Sequence, residues 1–137
     1  NSIALLTQSH AQRSDTIRAT GNTVIFFAPS KTEYDAMSKD KKVGIDEVLS
    51  DFSYYAKEVA PVLRKNGISV YWATGDSIRI ETTWSKVETW ERSSVAHESI
   101  VGILLIEPRR LPLAMDGVST DVDILKSVQD YFNIRIK

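Results

Sequence analysis

Thr23-Val24-Ile25-Phe26-Phe27-Ala28-Pro29 is an unbroken apolar run, rich in β-branched and aromatic side chains and stopped by a proline. A strand with one wet face alternates apolar and polar residues, so a run without alternation predicts a strand buried on both faces. Two further segments read the same way: 68–74, entered through Gly67, and 100–106, which leads into Glu107-Pro108-Arg109-Arg110. Strands of this kind need covering on both sides, which calls for an α/β arrangement, a mixed β-sheet flanked by helices.

The cover is visible between the first two runs. Val48, Phe52, Tyr55, Val59 and Val62 recur at helical spacing, with Leu49, Ala56 and Leu63 widening the stripe. Asp46 is the expected N-cap, and Gly67 stands where a left-handed residue ends a helix. Pro61 inside this stretch removes a backbone donor and predicts a kink near Lys57. Beyond the second run, 76–98 reads as a hairpin insertion, with Ile78-Arg79-Ile80-Glu81 alternating and 86–91 as its partner strand. After 100–106 come a strand at 111–115 and a helix opened by Thr120 that carries Ile124, Leu125, Val128, Tyr131 and Phe132. Residues 1–22 are polar and read as an irregular N-terminal arm. Within a single domain at 23–137, the alternating charges of 30–45 read as a solvated insertion.

The order strand, helix, strand, insert, hairpin, helix resembles the thioredoxin-like fold across most of 23–133. Three features carry the likeness: Phe26-Phe27-Ala28-Pro29 closing the first strand, Val59-Ala60-Pro61-Val62-Leu63 as a proline-bent helix, and the closing hairpin with its terminal helix. Counting back from Pro61, the resemblance places the two redox cysteines at Ser53 and Ala56, and it places a cis-proline at Val101 or Gly102. The chain has no cysteine, and a serine hydroxyl cannot cycle electrons as a thiolate does. A cis bond before a non-proline residue costs roughly 3 kcal/mol. The resemblance therefore implies the scaffold without its redox chemistry. Some thioredoxin-like glutathione transferases use a serine or tyrosine hydroxyl near a helix N-terminus, which makes Ser53 or Tyr54 the residues of an alternative, thiol-conjugating reading. With Asp46 as the cap, both would lie two turns inside the helix, away from its positive end.

Composition excludes more than it assigns. The chain has 137 residues, 17 cationic and 18 acidic, for a net charge of −1, so no cationic excess exists to displace counterions from a nucleic acid. No segment reaches the roughly 20 apolar residues of a membrane-spanning helix. Without cysteine there is no disulfide, thiolate zinc site or cysteine nucleophile. His10 and His97 stand apart from any Gly-x-Ser-x-Gly motif, and Asp116, Asp121 and Asp123 lack the glycine and glutamate of a calcium loop. No cofactor motif is present. The doublets Lys41-Lys42 and Arg109-Arg110 read as solvated surface, the second as a hairpin tip.

The aromatic residues of the insert are the other candidate. Trp84 and Trp90 share an extended face with Lys86 and Glu88, a combination found at partner-binding surfaces and sugar-stacking platforms, whereas Trp72 belongs to a buried strand. The expectation is a non-catalytic binding or assembly module with a protein partner, touched through 76–98 or through the face near Ser53 and Tyr54. Its alternatives are the thiol-conjugating enzyme and a carbohydrate binder using Trp84 and Trp90. The missing initiator Met fits removal of an export signal, so a periplasmic or otherwise exported site in a bacterial envelope is expected, with the cytoplasm as the alternative.

Overall fold

The computed structural model describes residues 16–74, 77–82, 87–91, 102–116 and 121–137. All six residues of strand β2 (Thr23–Ala28) are buried because both faces of its sheet are covered. It pairs in parallel with β3 (Ser69–Thr74), Phe26 opposite Trp72, and antiparallel with β6 (Gly102–Ile106), Phe26 opposite Ile103. β7 (Leu113–Asp116) extends the sheet beyond β6, giving the order β3-β2-β6-β7. A second sheet has the order β1-β4-β5, from β1 (Thr16–Ala19), β4 (Ser77–Thr82) and β5 (Val87–Glu91).

Alternation along β2 sorts the core into two halves. Val24, Phe26 and Ala28 point with Val70, Trp72, Ile103 and Leu105 towards the helices. There they meet α2 (Lys39–Glu58) through Leu49 and Phe52, α3 (Ala60–Lys65) through Leu63, and α4 (Asp121–Phe132) through Ile124 and Val128. Ile25 and Phe27 point the other way with Ala73, Leu104 and Ile106, against Ile17, Ala19 and Ile80 of the second sheet. The result is three layers: helices, a four-stranded mixed sheet and a three-stranded sheet.

Three expectations are corrected. Residues 16–19, read as irregular arm, form β1, whose Ile17 and Ala19 are buried; it pairs in parallel with β4, Ile17 opposite Ile80. Most of the charged insertion 30–45 is helical. It contains the short α1 (Lys31–Asp35) and the first two turns of α2. Ser30 and Glu33 cap α1 reciprocally, and Ser38 rather than Asp46 caps α2, its hydroxyl accepting from the Lys41 amide at 3.2 Å. The alternating charges are the wet side of helices, as the Lys31–Asp35 pair at 2.6 Å illustrates. Where a kink was expected near Lys57, the helix is interrupted at Val59, where α2 hands over to α3 and Pro61 falls in the first turn, the position in which its missing donor costs least.

Gly67 closes α3 as anticipated. Its φ is +80°, and the Ile68 amide donates back to the Leu63 carbonyl at 3.0 Å, a Schellman closure. A methyl at Gly67 would meet no atom within 4 Å. Gly67→Ala is therefore expected to cost about 1 kcal/mol purely through the backbone. Urea titration checks this, with Gly67→Asn recovering part of the loss.

The hairpin expected at 76–98 is present as β4 and β5, with Ile78 opposite Trp90. The closing hairpin β6–β7 is tied to α4: the Tyr131 hydroxyl donates to the Leu111 carbonyl at 2.8 Å and accepts from the Glu107 amide at 3.2 Å. Thr120, the expected cap of α4, lies outside the described residues.

Candidate functional site

Twenty residues of α2 run along the outside of the helical layer. Ile45, Val48, Leu49, Phe52 and Tyr55 make its buried stripe. The opposite stripe, at i, i+4, i+7 and i+11, is Val43, Glu47, Ser50 and Tyr54. Val43 is 57% and Tyr54 48% exposed, unusual values for large apolar side chains amid charge. A shallow depression beside Val43 is lined by Val43, Asp46, Glu47, Ser50 and Asp51. From 43 to 54 the helix carries three carboxylates and no lysine or arginine.

Ser53 and Tyr54 thus sit side by side on α2, with different prospects. The Ser53 hydroxyl donates to the Leu49 carbonyl one turn back at 3.0 Å, a bond internal to the helix. Tyr54 faces water and meets Tyr55 edge-on at 5.9 Å. Because α2 begins at Lys39, Ser53 lies fourteen residues in, about 21 Å from the positive helix end. At that distance the helix dipole does nothing for an anion. The positive ends near β2 are occupied by their own caps, Ser30 and Ser38.

Trp84 and Lys86 lie outside the described residues, and Trp90 is placed only as a backbone position in β5. The platform expected of them lies outside the described residues. Trp72, in contrast, is core: it stacks on Phe26 at 4.3 Å with 21° between the planes. His10 and His97 are also outside the described residues. Among those described, no three His, Cys, Asp or Glu side chains are grouped to hold a metal ion. No helix among them is long and apolar enough to cross a membrane.

Sequence reasoning missed Val43 because it places the helix start at Asp46, and it passed over Glu47 and Ser50, which are helical in either reading, because neither carries a motif. The readable signal was Ser38, followed by an apolar Val43 in phase with Tyr54. Asp46 instead accepts the Tyr34 hydroxyl at 2.6 Å, which fastens α1 to α2, with the Lys42 ammonium 5.4 Å from the centre of the Tyr34 ring. That hydrogen bond, then desolvation and the nearby carboxylates of Asp46 and Asp35, raise the Tyr34 pKa above its ordinary 10.0.

The direction fixes a pH dependence. A tyrosine raised on folding contributes its stabilisation fully below pH 10 and loses it as pH climbs through the folded-state value. The amides of α1 are expected to lose exchange protection in that alkaline window. Tyr34→Phe should remove the dependence, leaving α1 equally protected on both sides of it.

The arginine doublet is divided. Arg109 is exposed, as expected of a hairpin tip, and pairs with Glu107 at 3.2 Å. Arg110 folds back, its guanidinium 4.6 Å from the centre of the Tyr131 ring and donating to the Tyr131 carbonyl.

No protein-family model, curated protein or solved structure matches this chain.

Proposed function

We propose that this chain is a non-catalytic, thioredoxin-like binding or assembly module that engages a protein partner through the outer face of α2. The scaffold part of the reading is supported by three placements. β2 and β6 share one sheet, Pro61 lies in a helix directly after α2, and the β6–β7 hairpin feeds α4 on the same side of the sheet as α2. The binding part rests on one observation: Val43 and Tyr54 stand exposed around Asp46, Glu47 and Asp51, while the neighbouring Ser53 hydroxyl is held by its own helix. An exposed tyrosine on the same helix face as a carboxylate-lined depression is the type of side chain that anchors protein contacts.

The test is capture from the native host with the full chain and with Tyr54→Ala. A partner contacting this face should bind Tyr54→Ala about 2 kcal/mol more weakly, roughly thirtyfold. Glutathione conjugation by the wild type that falls in Tyr54→Phe would overturn the reading in favour of the thiol-conjugating enzyme.

A further inference from the structure

Two surfaces expose pairs of large apolar side chains among the described residues. One is the face of α2 with Val43 and Tyr54. The other is the β6–β7 turn, where Leu111 is 88% and Leu113 40% exposed. Their charges are opposite. The first carries Asp46, Glu47 and Asp51, whereas the turn carries Arg109 and Arg110. The one acid of the turn, Glu107, has its side chain only 15% exposed against 72% for Arg109, so solvent meets the cation.

The turn is also held in shape. Tyr131 fastens both the Glu107 amide and the Leu111 carbonyl, and Arg110 covers its ring. A surface already ordered in the free chain spends little entropy on binding.

We propose that these two surfaces bind each other between copies of this chain, with Leu111 seated in the depression beside Val43 and Arg109 facing the three carboxylates. This rests on the reading of α2 as a binding face and names its occupant. Both surfaces are exposed in the single chain, so neither covers the other and the contact forms only between molecules. Val43 and Tyr54 are eleven residues apart, about 16 Å along the helix, so Leu111 meets the Val43 end of this face rather than both side chains. The contact is heterologous: each copy offers one surface and receives through the other, so copies add in a ring or an open series. A contact of this size belongs to the weak class, below about 1,200 Å². Its charge component weakens as salt is added.

Sedimentation velocity of the full chain over a wide concentration range provides the test. The average mass is expected to rise with concentration and to fall back towards the monomer as salt is added. Two charge-reversed variants locate the contact, Glu47→Arg with Asp51→Arg on the helix and Arg109→Glu with Leu111→Glu on the turn. Both keep Arg110, so the Tyr131 fastening stays, and circular dichroism checks that they fold. Each variant alone should remain monomeric. An equimolar mixture should associate again, because the unaltered turn of the helix variant meets the unaltered helix face of the turn variant. A wild type that stays monomeric, variants that associate like the wild type, or a mixture that fails to associate each overturns the proposal. A monomeric wild type whose captured host partner is lost in Tyr54→Ala would leave α2 as a binding face while removing self-association. Loss of neither association nor capture in the helix variants would remove both.

Discussion

Replacing Phe26 by alanine is expected to lower the free energy of unfolding by about 3–5 kcal/mol, a large share of the ~5–15 kcal/mol of an ordinary domain. Phe26 is 1% exposed and central to the aromatic cluster of the helical side. Besides stacking on Trp72, it meets Phe52 edge-on at 5.3 Å and lies 6.3 Å from Tyr55. Truncation would open a cavity between β2, β3 and α2 that these rigid rings cannot collapse into. Urea unfolding followed by circular dichroism measures the loss. Phe26→Leu, which keeps most of the volume, should cost appreciably less.

Phe27→Ala is expected to cost a similar ~3–5 kcal/mol and to act on the opposite side of the same sheet. Phe27 is fully buried against the second sheet, in the cluster that includes Ile17, Ala19, Ile80 and Leu104. The two variants are separated by where protection is lost. Hydrogen exchange should rise first in β1 and β4 for Phe27→Ala, and first in α2 and α3 for Phe26→Ala. Equal loss throughout both layers would mean that the sheets and helices open as one cooperative unit, contrary to the two-sided core described above.

β2 and β6 were legible because burial on both faces leaves a mark that survives without tertiary information, an apolar run with no polar alternation; β3, read the same way, is instead an edge strand with Ser69 exposed and Tyr71 half-buried. The Gly67 closure was legible because a positive φ suits glycine. α1 left no such mark. It contains no buried residue, and α2 buries none before Ile45, so apolar periodicity is absent where these helices begin. Only local chemistry announced them, in Ser30 with Glu33 and in Ser38. β1 was hidden for a different reason. Four residues are too few to show a period, and the partner that fixes them lies about sixty residues further on.

The same distance governs the candidate site. Tyr54 was legible as an outward-facing residue next to Ser53. Its companion Val43 falls in the charged insertion once Asp46 is read as a cap, since the position of a helix start decides which residues share a face.

The pairing of β1 with β4 sets an order of events during synthesis. Ile17 leaves the ribosome long before Ile80, the residue it lies opposite, and until then its backbone has only water to bond. Closing that loop costs about 4 kcal/mol of chain entropy on a logarithmic scale. The three-stranded layer therefore cannot close before β4 emerges, and a nascent chain halted there would leave the side of Phe27 that faces this layer uncovered.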